Sequence, residues 1–246
     1  MTAVLEIAVQ DPAGARAAIA AGADRLELCQ ALGVGGLTPS IGLVEAVAAA
    51  VGGDRVNVLV RPRGGGFVYD DEEVALVAAD IVAAVRAGAG GVVIGALTAD
   101  GQADLDAVAR WRDAAGGAAL VFHRAIDATG DPVAVLAELY AVGVDRVLTS
   151  GGAARSIDGV PTLARLVEAA GDVEIMAGGG GVRPVDIPAI LAAGVGAVHL
   201  SARGQAGLDA PAGPGGGAPG HDVTDAAVVA EAVAAMRAVA GSTARS

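Results

Sequence analysis

"AGADRLEL" (Ala21–Leu28) has three near-copies further along the chain: "AGAGGVVI" from Ala87, "VGVDRVLT" from Val142 and "AGVGAVHL" from Ala193. In each, a small or apolar residue and a glycine close an alanine-rich helical run, the glycine supplying the left-handed cap that ends a helix. An apolar strand begins three or four residues later. Between the copies lie four more short apolar runs, "AVLEIAV", "RVNVLVRP", "ALVFHRA" and "VEIMAGG". Together they predict eight strands, at residues 3–9, 25–29, 55–61, 91–95, 119–125, 146–150, 173–177 and 197–202. Alanine-rich helical stretches such as "PAGARAAIAA" and "DEEVALVAADIVAAVRA" separate them. This alternation predicts an α/β protein with a parallel sheet covered by helices. Eight units in about 250 residues predict a closed (β/α)8 TIM barrel. A Rossmann-like sheet, the rival, would place G-x-G-x-x-G directly after the first strand, and no such motif stands there.

The whole chain, 1–246, reads as one domain. Its low-complexity segment, "RGQAGLDAPAGPGGGAPG" at 203–220, is expected to be a mobile loop because Gly and Pro offer little apolar surface to bury. A last helix is expected near 223–240. Hydrophobic residues make up 54% and aromatics 2%, which suits a core of Val, Ala, Leu and Ile. No apolar run reaches the roughly 18 residues that span a bilayer, and the start lacks the basic and long apolar regions of an export signal. A single cysteine fits a reducing compartment. A net charge of −12 opposes binding to nucleic acid or anionic lipid. The expectation is a cytoplasmic protein that acts on small ligands, with no nucleic-acid or membrane partner.

Strand side chains alternate, so parity separates a barrel's interior from its helix-facing exterior. Leu5, Ile7 and Val9 oppose Glu6; Leu26 and Leu28 oppose Glu27 and Cys29; Val56, Val58 and Val60 oppose Asn57, Leu59 and Arg61. Further on, Leu120 and Phe122 oppose Val121 and His123, while Val198 and Leu200 oppose His199 and Ser201. The apolar set should meet the helices. Glu6, Glu27, Arg61, His123 and His199 should then face the axis. Aligned copies of the repeat put Glu27, Val93, Leu148 and His199 at one level, and Cys29, Gly95, Ser150 and Ser201 at the next, as in barrels filled by layers from alternate strands. An ionic plug that fixes register is one account of these charges. Their origin on five strands, near the ends where barrel active sites lie, favours a pocket, with Glu6, Glu27, Arg61, His123 and His199 as candidate catalytic groups.

Glycine-rich turns follow strands three, six, seven and eight. With Arg63, Ser150, Gly151, Gly179, Gly180, Ser201 and Arg203 they are candidates to hold an anion, since glycine lets backbone N–H groups approach a ligand closely. The Asp-Arg pairs Asp24-Arg25 and Asp145-Arg146, at equivalent strand starts, read as a stability element of the bottom face.

The stretches "LEIAV", "AGADRLELC", "GGLTPSIGLV", "VLVRPRGGGFVYDDEE", "VFHRAID", "GVDRVLTSGG" and "IMAGGGGVRP" resemble the CutC family of copper-homeostasis proteins, which have a (β/α)8 barrel. The resemblance runs in family order through the seventh strand and fades after Ser201. It implies copper binding, with Cu(I) held by soft thiolate and thioether donors, and it is compatible with a homo-oligomer. The donors this chain offers are Cys29 and Met176, for which ordinary packing is the competing account, with His123 and His199 as further candidates on the axial face. Two readings stand: a protein that binds Cu(I), and a barrel enzyme that does general acid/base chemistry on a small phosphate- or carboxylate-bearing metabolite.

Overall fold

The computed structural model describes residues 3–209 and 219–243. The elements run β1 (Val4–Val9), α1 (Pro12–Ala21), β2 (Arg25–Leu28), α2 (Ile41–Val51), β3 (Val56–Leu59), α3 (Asp71–Arg86), β4 (Gly91–Ile94) and α4 (Leu105–Ala115). They continue with β5 (Ala119–Phe122), α5 (Pro132–Ala141), β6 (Arg146–Thr149), α6 (Val160–Ala169), β7 (Glu174–Gly178), α7 (Ile187–Leu191) and β8 (Ala197–Leu200). Strands β1 to β8 close into a parallel barrel, β8 pairing with β1. All eight expected strands form, most ending one to three residues early because the chain then turns to build the mouth. Among the described residues no helix is long and apolar enough to cross a membrane.

The repeat works as its sequence implies. Gly22, Gly88, Gly143 and Gly194 all have φ between 82° and 105°, a conformation that costs glycine nothing and other residues dearly. After Gly22 and Gly143 the aspartates perform one task. Asp24 accepts the Leu5 N–H at 2.9 Å while its own N–H donates to the Leu5 carbonyl at 3.0 Å. Asp145 does the same to Leu120, at 2.7 and 2.9 Å. Each aspartate therefore sets the stagger of its strand against the preceding one.

Leu5, Ile7, Val9, Leu26, Leu28, Val58 and Phe122 are buried beneath the helices, and Trp111 of α4 donates to the Val74 carbonyl of α3 at 3.0 Å. Cys29, Leu59, Val93, Val121, Leu148, Met176 and Ala197 pack together as a second, axial cluster. The alternation argument thus assigns both faces. Below the axial cluster, the arginines of the two Asp-Arg pairs turn inward: Arg25 donates to Glu6 at 2.6 Å and to Glu174 at 3.0 Å, and Arg146 donates to Glu174 at 2.5 Å. This ionic floor closes the barrel's amino-terminal end.

The carboxyl-terminal segment departs from expectation. Residues 203–220 do not form one irregular loop: β9 (Arg203–Ala206) and β10 (His221–Thr224) pair as an antiparallel ribbon, and residues 210–218 lie outside the described residues. Glycine and proline are concentrated between the two strands, whereas the flanks are polar or β-branched, and both Arg203 and Gln205 reach Asp222 across the ribbon. The last helix, α8 (Ala226–Thr243), begins three residues later than expected, because β10 takes residues 221–224 and Asp225 caps the helix by accepting from Ala227 at 2.9 Å.

Replacing Glu6 by Gln removes the fully buried carboxylate that Arg25, Asn57 and His199 share and leaves Arg25 only the less buried Glu174, a loss of about 3 kcal/mol, the lower end for a broken buried pair. Urea denaturation should show that drop for Glu6→Gln and an unmoved midpoint for Arg63→Gln, whose partner Glu73 is at the surface.

Candidate functional site

The axis above the ionic floor carries two groups of polar side chains. The first is built on neighbouring strands, since Glu6 on β1 is in register with both Arg25 on β2 and His199 on β8. Strand tilt then brings Glu27 and His199 to one level, as the repeat alignment implies. Glu6 is fully buried, and both its oxygens are engaged: Oε1 with His199 Nδ1 at 3.0 Å, Oε2 with Arg25 Nε at 2.6 Å and Asn57 Nδ2 at 2.9 Å. Glu27 lies beside them, the ligating atoms of Glu6, Glu27 and His199 falling within 4.8 Å of one another. Its Oε2 is buried without a hydrogen-bond partner among the described residues.

These neighbours drive the two carboxyl groups apart. Burial would raise Glu6, but the hydrogen bond and charge of His199, with the charges of Arg25 and Arg146, pull it down to about 2. Burial pushes Glu27 up to about 7, with a further push from Glu6 and only His199 opposing. For His199, burial favours the neutral ring, yet Glu27 and Glu6 together raise it above its ordinary value.

The second group forms at the ends of β3 and β5. His123 Nδ1 accepts the Ala125 N–H at 3.1 Å at the start of a short 3-10 turn, Arg124–Ala128. The proton of the neutral ring therefore sits on Nε2, which is buried with no partner among the described residues. Burial, then the charge of Arg61, lowers this histidine to about 3, so it stays neutral. Gly95 makes the arrangement possible, because a Cβ there would lie 2.3 Å from the imidazole. Phe67 packs on the ring at 4.8 Å, and the Arg61 guanidinium lies 5.3 Å from the centre of Phe67. Arg61 donates to the carbonyls of Val34, Gly36 and Gly65 at 2.7–3.1 Å. It ties the β2–α2 and β3–α3 loops together over the mouth, where Leu32 packs against the axial cluster.

The other residues singled out from the sequence separate. Arg63 is engaged by Glu73 and by carbonyls of its own loop, and Arg203 belongs to the ribbon with Asp222. Ser201 lines a small hollow with Ala8, Gln10 and Leu32, above the strands that carry Glu6 and His199. Ser150 and Gly151 form a turn organised by Asp127. That carboxylate accepts from the N–H groups of Ser150 and Gly152 and from the hydroxyls of Thr149 and Ser150, and it pairs with Arg124 at 2.8 Å. Gly179 and Gly180, with φ of 118° and 67°, lie beside Arg124 and Arg155. Cys29 is buried, its Sγ 3.9 Å from the Val9 carbonyl, and burial followed by the charge of Glu27 raises its thiol well above the usual range. Met176 Sδ lies 3.5 Å from Arg25 Nη2. Asn57 and Glu174 were missed in sequence. Parity does put Asn57 inside, and an amide on an otherwise apolar strand was the available signal.

Residues 3–204 match the model of the CutC family. The family protein CutC of Xanthomonas campestris pv. campestris (strain B100) is 45% identical over 202 residues, covering 81% of this chain and 83% of the relative. The family protein CutC of Agrobacterium fabrum is 44% identical over 188 residues, covering 76% and 74%. In the crystal structure of CutC from Streptococcus agalactiae, a protein assigned to copper homeostasis by name, the backbone superposes with a TM-score of 0.74 at 31% identity, covering 81% of this chain and 98% of that one. The thiamine phosphate pyrophosphorylase of Pyrococcus furiosus, at 14% identity and a TM-score of 0.60, shares the fold alone. By sequence over most of its length and by backbone, this chain belongs to the CutC family.

Proposed function

We propose that the barrel is an enzyme that transfers protons on a small polar substrate. Glu27 is its acid–base group, Glu6 and His199 are the electrostatic frame of that group, and His123 is a neutral hydrogen-bond donor. The observation that carries this reading is the Glu27 carboxyl: buried on the axis, with one oxygen unpartnered, beside an imidazole held by a second carboxylate. Leaving such an oxygen unpaired costs about 1–3 kcal/mol. The floor of Arg25, Glu174 and Arg146 already pairs its own charges without Glu27, so Glu27 is not needed to neutralise it. A carboxyl group brought to about 7 exchanges its proton readily near neutrality. Environments that split two carboxyl groups in this way mark acid–base assignments. His123, uncharged and with its Nε2–H free, suits polarisation of a carbonyl or hydroxyl oxygen.

Copper is what the family's name suggests, and the donor set bears against Cu(I). Thiolate and thioether ligands suit that ion, yet Cys29 is the single cysteine and its thiolate is disfavoured both by burial and by Glu27. A guanidinium lies against the Met176 sulfur. Glu6, Glu27 and His199 are oxygen and nitrogen donors of the kind that suits divalent ions. Both oxygens of Glu6, however, are already committed to Arg25, Asn57 and His199. No step of the proposed reaction is routed through a metal.

Three outcomes follow. Carbon-13 spectra of the side-chain carboxyl groups should show Glu27 titrating near 7 and Glu6 ionised down to about 2; a Glu27 midpoint near the ordinary 4.5 would remove the acid–base group. The second outcome is in stability. Glu27 ionises near 4.5 in the unfolded chain and near 7 in the fold, so the native state holds an extra proton between those values. Stability should therefore fall as pH rises through that window, by on the order of 3 kcal/mol. His199, raised above 6.5, adds stability below that pH that is lost as pH climbs further. Melting curves of Glu27→Gln should lose the lower part of this decline and weaken the upper, because the charge of Glu27 is the largest influence that raises His199. Third, Cu(I) titrated against a competing chelator under reducing conditions should bind Cys29→Ala as weakly as wild type; stoichiometric binding abolished by that substitution would restore copper.

A further inference from the structure

We propose that the loop after β7, together with Arg124, is a phosphate subsite, and that the substrate of the proton-transfer centre is a small phosphate-bearing molecule. The proposal rests on the acid–base reading only for what happens to the substrate once it is bound.

Two glycine turns border this part of the mouth, and their sequences look alike: Ser150-Gly151-Gly152 after β6 and Gly178-Gly179-Gly180-Gly181 at the end of β7. Their donors differ. In the first, the protein supplies its own anion: Asp127 takes the N–H groups of Ser150 and Gly152, and Thr149 Oγ1 takes that of Gly151 at 2.9 Å. In the second, the N–H groups of Gly179, Gly180 and Gly181 meet no acceptor among the described residues. All three residues have φ between 67° and 118°. A Cβ on Gly181 would meet nothing within 4 Å, so the space over it is open.

Arg124 joins the two turns. Its Nε pairs with Asp127 and its Nη2 donates to Ser150 Oγ at 3.0 Å, while Nη1 has no partner among the described residues. The guanidinium lies against Gly179, where a Cβ would come within 2.5 Å of its central carbon. Any side chain at position 179 would therefore push the arginine away. Around the loop the charges are Arg124, Arg155 and Arg183 against Asp127 and Asp186. Asp186 is held by Arg183 at 2.8 Å and by Arg155 at 3.5 Å, and Asp127 by Arg124. In a chain of net charge −12, three arginines thus gather beside this loop. A guanidinium edge and a run of free backbone N–H groups suit a phosphate, which accepts on several oxygens at once.

The subsite adjoins the proton-transfer centre. Arg124 follows His123 directly, and a Cβ on Gly178 would lie 3.0 Å from the His199 Cβ. A short molecule anchored by its phosphate at this loop can put its reacting carbon over the axis.

The test uses the full chain labelled with nitrogen-15, titrated with inorganic phosphate and, separately, with glycerol 3-phosphate. The amides of Gly179, Gly180 and Gly181 should shift and saturate, and those of Gly151 and Gly152 should stay put. Arg124→Gln, checked by circular dichroism, should weaken binding by about tenfold, the equivalent of one charge-assisted contact, with no change in Arg63→Gln. Shifts confined to Gly151 and Gly152, or none that saturate, overturn the subsite, and this readout on wild type holds even if Arg124→Gln fails to fold. Acetate or glycolate binding as well as phosphate overturns the phosphate assignment. Glu27→Gln should bind phosphate as wild type does, so a failed subsite and a failed acid–base group give separate results.

Discussion

Glu6 is the carboxylate on which the interior depends. It lies where no water reaches it, and three strands besides its own send it a donor: Arg25 from β2, Asn57 from β3 and His199 from β8. A buried anion persists only when its partners are complete, so these contacts fix the stagger of four adjacent strands across the seam where the barrel closes. Arg25 passes the constraint on to Glu174, and Glu174 to Arg146 on β6. One ionic chain thus joins strands that are distant in sequence, at the level where hydrophobic packing alone would tolerate a slip in register.

The same contacts explain why two glutamates on adjacent strands behave as different groups. Glu6 has the cations; Glu27 has Glu6 itself as a close neighbour, a single imidazole to offset it, and an oxygen with no partner. His199 stands between them and is biased toward its charged form by both. Protonating Glu27 relieves repulsion from Glu6, whereas protonating Glu6 would leave Arg25 with Glu174 alone and take the counter-charge from His199. The proton belongs to Glu27 for a structural reason, and the ionic floor beneath is what makes that choice firm.

Much of this was legible in the sequence, because it follows from period. Four copies of one helix-to-strand junction count the strands, and alternation places Glu6, Glu27, Arg61, His123 and His199 on the inner face without any knowledge of neighbours. Other features depend on distance in space. Nothing in "VEIMAGG" shows that Glu174 meets Arg25, 149 residues away. Parity puts Arg61 inside but not its grip on the carbonyls of Val34, Gly36 and Gly65, which makes it a tie between loops. Arg63 and Arg203 look equal to it in sequence and find their carboxylates outside the axis. The ribbon of β9 and β10 was hidden by a composition average: the glycines and prolines lie between two short segments that can pair.

Membership of the CutC family and the chemistry of the site are separate conclusions, and here they point in different directions. Family membership rests on the barrel scaffold and on stretches that build its loops. A Cu(I) site would need sulfur donors that are free to ionise or to turn toward the metal. In this chain Cys29 is packed among Leu59, Val93 and Met176, beneath a loop at Gly36 that leaves no room for a side chain. Ionising that thiol would place a second negative charge next to Glu27 in a medium that solvates neither. Burial on the axis, the main influence that keeps Glu27 protonated near neutrality, is thus also the main one that keeps Cys29 from becoming a thiolate. Proton transfer at Glu27 and Cu(I) capture at Cys29 make opposite demands on one small volume, and the residues around it meet the first.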